Sequence, residues 1–414
     1  MFDALGWILI WLPIVSLIVF ALAANFVRWR GMSVVWSWPL LWIAIEFVRS
    51  EWSPLRLNWL SAELDPLNFT WFGLGHPRLA WAPAAQSADL IGGYGLALAP
   101  FLTNLMLAKI WAARTELTKT FAVCVIGIGV ADASYCAWRW SQVETGNSIA
   151  VGIVQSERYE LSIFKELTDG LLQAAPDTQL VVWPELAFSA KPGDKERLQE
   201  FVRRRQVTLV TGVEIPMPDG YRNRAWWLPS DGETAEYAKQ TRVPFVERHP
   251  ASEECTTFEL PTPHGPVQVG VLICYDIDFA RPARRLVNEC GAEIIALPTL
   301  DDVSWGGTQH VQHALLPRLR AIENRRPIVQ AATSGVSQIL DHRGCPVTTI
   351  PFRLNTRPDR PTMYGEGFAA GRVAPRQTIS FYGQFGYWIP QMGTGLALAL
   401  IIWVTVFAGR TGRG

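Results

Sequence analysis

The amino-acid sequence predicts a layered α/β domain attached to a bundle of about five membrane helices, each near the length that crosses a bilayer. Three observations carry that expectation. Long apolar stretches occupy the first third of the chain and its end. Between them, short β-rich runs alternate with helical ones, which argues for stacked layers of helix and sheet. Only 18% of residues are charged, mean hydropathy is positive at +0.13, and 19 residues are Trp, which favours membrane interfaces. A chain of 414 residues has room for both regions. The net charge is zero and no nucleic-acid-binding motif is present, so no polyanionic partner is expected.

The membrane elements come first, over residues 1–140. Leu5 to Val27 is uncharged and long enough to span; it lacks a basic leader and exceeds a cleavable signal peptide. After Arg28-Trp29-Arg30, a second stretch, Val34 to Val48, is interrupted by Glu46. A loop over 50–89 follows, then Leu90 to Ala113, then Phe121 to Ala137, interrupted by Asp132. The last stretch is Tyr387 to Ala408, within 387–409. If the helices alternate, Arg28, Arg30, Arg114, Lys119, Arg410 and Arg413 share one side, the cytoplasmic one. The loop 50–89 and the large middle segment are then external. Glu46 and Arg49 fall on one helical face. They read first as an interfacial ion pair, with a headgroup contact as the alternative.

The middle domain, 146–377, begins with the strand "SIAVGIVQ" and a helix from Leu161 to Ala175. The buried strand "LVVW", a charged helix Asp194 to Arg205 and the strand "VTLVTGV" follow. Next come the strand "VQVGVLIC", a helix Arg281 to Cys290, the strand "EIIALP" and a helix Gln309 to Asn324. "PIVQAAT" and "SQILD" close the series as strands, and the Pro- and Gly-rich stretch Pro351 to Gly371 reads as loop.

Three strand ends each deliver one reactive side chain: Glu185 after "LVVWP", Lys239 in "YAKQTRVPF" and Cys274 at the end of "VLIC". A free thiol, with a pKa of about 8.5, is mostly protonated near neutrality, and the thiolate is the nucleophile. Glu185 can take that proton as general base. Attack on an acyl carbon creates an oxyanion, for which the Lys239 ammonium and the backbone N–H after Cys274 are candidate stabilisers, one such donor being worth about 3 kcal/mol. The product is a thioester that a second nucleophile resolves. Taken singly, each residue has a plain structural explanation: a turn acid, a solvated lysine, a small core residue.

In combination, "LVVWPELAF", "YAKQTRVPFVE", "VLICYDIDF" and "RAIENRRPIVQAATSG", in that order, resemble the nitrilase superfamily. The resemblance implies an α-β-β-α sandwich, a Glu185–Lys239–Cys274 triad and a second, supporting acid near the lysine, where Glu247 of "VPFVE" stands. "LLWIAIEFVRSEW" and "ADLIGGYGLALAPFLTNLMLA" resemble membrane helices of the apolipoprotein N-acyltransferases, as does the order of parts. That second resemblance implies a multi-pass protein of the bacterial inner membrane with its catalytic domain on the periplasmic side. It implies a phospholipid acyl donor, an amine acceptor such as a lipoprotein N-terminus, and neither metal nor cofactor.

Three departures stand against it. The membrane region is short at its start. The interval from Lys239 to Cys274 is short and polar, "RHPASEECTTFELPTPHG", where the acyltransferases carry an apolar arm. Asp276 stands where they have Glu. Shortened relatives occur among conjugal transfer proteins of the TraB type. Two other readings therefore stand beside the acyltransferase: a membrane-anchored amidase hydrolysing C–N bonds, and a non-catalytic conjugation component.

The remaining candidates are minor. Tyr275 either lines an acyl pocket or packs. Asp302 and Trp305 match the superfamily loosely and stay outside the catalytic set. His310 and His313 share a helical face but have no third ligand, so they read as a solvated or core pair. Of six cysteines, none forms a CxxC pair. A disulfide among Cys255, Cys290 and Cys345 suits an external domain, but unpaired buried thiols are the first expectation.

Overall fold

The structure is a computed structural model. It describes residues 2–51, 70, 73–112, 115–142, 146–218, 220–243, 247, 252, 254–351, 353–357 and 360–406, with side chains described except at 2–13, 353–357 and 360–364. Arg114, Arg410, Arg413, half of the loop 50–89, and parts of the "VPFVE" and "RHPASEE" segments lie outside the described residues. The chain forms two compact units, Met1–Ser141 with Phe385–Gly414, and Gln142–Gln384.

The first unit is helical: α1 (Phe2–Trp29), α2 (Val34–Ser50), α3 (Ala88–Leu96), α4 (Leu98–Ala112), α5 (Glu116–Trp140) and a terminal helix, Trp388–Val406. Thr115 caps α5, its hydroxyl accepting from the Thr118 N–H at 3.2 Å. Glu116 in the first turn and Arg139 in the last suit the helix dipole. Its Val123, Ile126, Ile128 and Val130 are exposed. The helix runs unbroken through Asp132, expected to interrupt it, because the Arg78 guanidinium donates to that carboxylate at 2.5 Å. One turn on, Arg139 and Tyr135 donate to Asp89 at 2.5 and 2.9 Å. In α2, Glu46 accepts from the Leu74 N–H at 2.8 Å and interacts with the Arg49 charge. Val27, Leu41 and Ala397 form a small core.

Among the described residues, two helices are long and apolar enough to cross a membrane, α5 and the terminal helix. The pair α3–α4, bent by 51°, makes a third if it is one broken span. The described apolar part of α1, Ile14–Trp29, is shorter than a span, and α2 has 17 residues with both Glu46 and Arg49 inside it.

The second unit carries two main sheets. Its strands are β1 (Ile149–Gln155), β2 (Leu180–Val182), β3 (Phe188–Ser189), β4 (Thr208–Met217), β5 (Gly220–Leu228), β6 (Ala235–Ala238), β7 (Thr257–Leu260), β8 (Val267–Val271), β9 (Ile294–Thr299), β10 (Ile328–Ala332), β11 (Gln338–Leu340), β12 (Pro346–Thr349), β13 (Arg353–Arg357), β14 (Arg360–Tyr364) and β15 (Gly367–Val373). Its helices are α6 (Leu161–Ala174), α7 (Asp194–Arg205), α8 (Ala280–Asn288), α9 (Gly307–Asn324) and the short α10 (Phe381–Phe385). One sheet runs β15-β1-β2-β4-β5-β6 with β3 beside β4; the other runs β12-β11-β10-β9-β8-β7.

Alternate residues of each strand serve different layers, as a period of two requires. Val151 and Ile153 of β1 join Val182, Val210, Val269, Val271 and Val329 in a core between the sheets. Val154, Val181 and Leu209 face the other way, against Phe164 and Leu171 of α6 and Leu198 and Val202 of α7. Ala283 and Leu286 of α8 and Ala321 of α9 cover the second sheet. The layers are helix, sheet, sheet, helix, the nitrilase-type α/β sandwich.

Two expectations are corrected. The segment Pro351 to Gly371 is largely strand: β13 and β14 pair as a hairpin, and β15 pairs antiparallel with β1 from Ile149↔Val373 to Gln155↔Gly367. Pro361 hid the hairpin, but a two-stranded sheet is all edge, where proline is tolerated. Cys255 and Cys290 are joined in a disulfide rather than left as thiols, because β7 pairs antiparallel with β8 and Thr257 hydrogen-bonds the Cys290 carbonyl at 3.0 Å. Cys345 is free.

Candidate active site

Glu185 lies on the loop after β2, and that loop is held by close backbone contact. Glu185 N donates to Thr299 O at 3.3 Å, Ala187 N to Gly212 O at 3.0 Å and Gly212 N to Pro184 O at 3.0 Å. A Cβ on Gly212 would lie 2.3 Å from the Glu185 Cα, so only glycine lets β4 approach so near. The side chain is 1% exposed and uses both oxygens. Oε1 accepts from Lys239 Nζ at 2.8 Å and from Asn223 Nδ2 at 2.5 Å; Oε2 accepts from the Leu300 N–H at 2.9 Å.

Lys239, one residue beyond β6, is also 1% exposed. Its ammonium donates to Glu185 and to Glu247 Oε1, each at 2.8 Å. Glu247 also accepts from Asn223 at 3.1 Å and, through Oε2, from the Val243 N–H at 2.7 Å. Burial alone would lower the lysine, but the charges of Glu185 and Glu247, with Cys274, raise it well above its ordinary value. It is a permanent cation.

Cys274 begins a sharp turn of 3-10 helix, Cys274–Asp278, directly after "VLI". Its φ of +46° is left-handed, a strained conformation for a residue with a side chain and one that clusters at active sites. Sγ lies 3.6 Å from Leu300 O. Burial, then the negative charge of Glu185, push the thiol well above its ordinary value, and Lys239 opposes them. The resting group is a neutral thiol that couples to both other residues. Tyr275 is half-buried, edge-on to Phe279 at 5.2 Å.

Sequence reasoning missed several participants. Asn223 shares a strand face with Ala225 and Trp227 of the inter-sheet core, and a polar residue on a core face was the available signal. Asp276 is fully buried: Oδ1 accepts from the N–H of Gln240 and Thr241 at 3.1 and 2.6 Å, and Oδ2 from Ile273 N–H and Tyr237 Oη, both at 3.0 Å. It thereby ties the lysine segment to the nucleophile turn. Two tyrosines also sense the site's charges. Tyr159, with a φ of +46°, is raised to about 12 by burial and then by Asp302, Glu157 and Glu185. Tyr221 is raised by burial, then by Glu247 and Glu185. Asp302 instead caps the short turn Val303–Trp305, accepting from the Ser304 N–H at 2.8 Å.

A helix–sheet–sheet–helix sandwich whose strand ends bring a carboxylate, a lysine and a thiol into one buried cluster defines a class. The carbon-nitrogen hydrolase family model matches residues 147–353, half of the chain, and the protein belongs to that family, within the nitrilase superfamily. Similarity also extends beyond the family's own domain. The apolipoprotein N-acyltransferase of Geobacter metallireducens is 26% identical over 419 residues, covering 90% of this chain and 75% of that protein. That of Pseudomonas aeruginosa is 25% identical over 443 residues, covering 94% and 80%. Among solved structures, a branch 10 nitrilase-superfamily member from Saccharomyces cerevisiae aligns with a TM-score of 0.46 at 20% identity, over 56% of this chain and 91% of that one.

Proposed function

We propose that the protein is a membrane-bound thiol acyltransferase of the apolipoprotein N-acyltransferase type, with Glu185, Lys239 and Cys274 as its catalytic residues and Glu247 in support. The observation that carries this reading is the similarity to such enzymes over 90% of the chain, helical unit included. The multi-pass arrangement of about five spans belongs to the same proposal; its support is the two described helices long and apolar enough to cross, with the bent pair α3–α4 as a third if it is one span. So do the bacterial inner membrane and the periplasmic side, for which the Cys255–Cys290 disulfide speaks, since disulfides persist in oxidising compartments.

The chemistry follows from the cluster. As the Cys274 sulfur attacks the ester carbonyl of a phospholipid, Glu185 takes the thiol proton. Lys239, held cationic, and the Tyr275 N–H stabilise the oxyanion that forms. Collapse breaks the ester C–O bond, Glu185 returns the proton to the departing lysophospholipid alcohol, and a thioester remains. An amine then attacks the thioester, Glu185 takes the amine's proton and gives it to the sulfur, and an amide leaves. Glu247 fixes Lys239 from its other side without touching the reacting atoms. Tyr275 lines the acyl pocket.

Incubation of the purified protein with phosphatidylethanolamine vesicles, followed by intact-mass analysis, is the test. A gain equal to one acyl chain, lost in Cys274→Ala, is expected; a folded, unmodified Cys274 would overturn the reading.

The amidase reading rests on a different observation, the polar interval between Lys239 and Cys274, stapled by its disulfide at Cys255. There water resolves the acyl-enzyme. Amine release from a soluble amide panel, abolished by Cys274→Ala, is its signature.

A further inference from the structure

A buried ionic cluster beside α9 lies outside the catalytic set. His313, on α9, is 2% exposed and sits between two fully buried carboxylates. Its Nδ1 is 2.8 Å from Asp301 Oδ1, and its Nε2 is 3.2 Å from Asp278 Oδ1. The two acids belong to different loops, and both loops build the site. Asp278 ends the turn that begins at Cys274. Asp301 follows Leu300, whose N–H holds Glu185 and whose carbonyl faces the thiol. Other contacts also pin both loops. Asp301 N donates to Thr333 Oγ1 at 3.1 Å, and Arg320 donates to the carbonyls of Ile277 and Asp278 at 3.0 and 2.8 Å.

We infer that His313 is a positioning residue whose ring bridges Asp278 and Asp301, clamping the nucleophile turn to the loop that orients Glu185 and so fixing the thiol opposite its base. The inference rests on the assignment of Cys274 as nucleophile.

The charges around the ring make the bridge durable. Burial pushes the imidazole down, but Asp301 and Asp278 raise it well above its ordinary value, so it stays cationic. Burial likewise pushes the Asp301 carboxyl up, and His313 holds it below its ordinary range. Other titratable groups face the cluster: from α9, His310, whose Nε2 contacts Asp302 O at 2.9 Å, and Arg320, paired with Glu323; from the nucleophile turn, the Cys274 thiol, which feels the Asp301 charge. A cation between two buried anions acts as a fixed staple across the working pH range. Without it, each acid is easiest to keep buried when protonated.

The test measures carboxamidomethylation of Cys274 by iodoacetamide in the full detergent-solubilised chain, with peptide mass spectrometry reading that thiol alone. No acyl donor is involved, so failure of the acyltransferase reading leaves the measurement intact. Relative to wild type, His313→Gln is expected to slow the reaction roughly tenfold to a hundredfold at pH 8, the cost of misplacing a reacting atom by about an ångström. The deficit should shrink as pH falls, because Asp301, no longer held below its ordinary range by His313, takes up a proton and needs no cation opposite it. A residue that only fills space would give a deficit independent of pH. Equal rates at every pH, or a flat deficit, with both chains folded, overturn the inference. If His313→Gln does not fold, the charge-neutral triple variant Asp278→Asn/Asp301→Asn/His313→Gln carries the test. A cooperative melt with a rate within about threefold of wild type supports the bridge, since the amides can retain hydrogen bonds across it. A triple variant that also fails to fold overturns it.

Discussion

The two units use the same residue types in opposite directions. In the α/β unit, Val151, Val182, Val210 and Val269 point into the core between the sheets, and Val154, Val181 and Leu209 are covered by helices. In the helical unit, Ile126, Ile128 and Val130 of α5 and Ile402 and Trp403 of the terminal helix point outward. Beside its small apolar core, that unit also turns charges inward: Asp132 toward Arg78, and Asp89 toward Arg139 and Tyr135. The difference is consistent with lipid around the apolar helices of one unit and water around the other. An apolar surface is costly beside water and cost-free beside lipid, whereas a charge in either interior needs a partner.

The largest break in this pattern is expected from the buried cation of the α/β unit. Lys239→Ala leaves the Glu185 and Glu247 carboxylates side by side without the cation between them, and losing one partner of a buried ionic group destabilises by about 3–5 kcal/mol. Urea denaturation followed by the fluorescence of buried Trp183 and Trp227 measures it. A loss under 1 kcal/mol would mean that water reaches the cluster. Next comes the staple beyond the lysine. Cys255 and Cys290 are 35 residues apart, and opening a loop of that size by Cys255→Ser is expected to cost about 4 kcal/mol on chain entropy alone. Dithiothreitol should destabilise wild type by the same amount and leave Cys255→Ser unchanged.

The sharpest discriminator between the units is a matched pair of exposed valine and isoleucine sites. Ile128, near the middle of α5, is 56% exposed, and Val347 on β12 is 46% exposed. If the helical unit faces lipid, Ile128→Lys should impair insertion by roughly 2.5–3.5 kcal/mol, while a surface change in water such as Val347→Lys should stay within about 0.5 kcal/mol. Membrane-inserted fraction in an insertion assay, beside the urea midpoint of the α/β unit, separates them. Similar tolerance at both positions would remove the membrane assignment from α5.

Much of this was legible because burial writes itself into sequence. The strand "SIAVGIVQ" and the helix Asp194 to Arg205 are found where periodicity puts them. Glu185, Lys239 and Cys274 were legible only in combination, through the resemblance of their three segments to the nitrilase superfamily, because each alone has a plain packing or surface explanation. Strands β13 and β14 were not, since proline and arginine there mimic loop and a hairpin edge tolerates both. Neither was the Cys255–Cys290 bond, whose pairing depends on the register of β7 with β8 and on where α8 ends. The contacts of Asn223, Asp276 and His313 were hidden for one shared reason: their partners are 24 residues or more away for Asn223, 35 or more for Asp276 outside its own turn, and 12 or more for His313. Long-range polar contacts leave no local pattern.

Asp276 gives the smallest and most specific test. Both units bury carboxylates, but Asp132 and Asp89 lie against arginines, whereas Asp276 is held by four neutral donors. Burial raises its carboxyl from 3.8 to about 6, against the opposing pull of Lys239 and of those hydrogen bonds. A folded state that binds the proton more tightly than the unfolded chain is stabilised by acid. The contribution is fully present below about pH 4 and is lost as pH rises through about 6. The swing is at most about 3 kcal/mol. Asp276→Asn cannot titrate, and its amide nitrogen faces the Ile273 N–H, a fixed cost of about 1–3 kcal/mol. The stability gap between wild type and variant should therefore be widest near pH 4 and narrow toward pH 7, measured as urea midpoints across that range. A gap that widens as pH rises would show that the carboxylate is ionised in the folded protein throughout, with Lys239 rather than burial governing it.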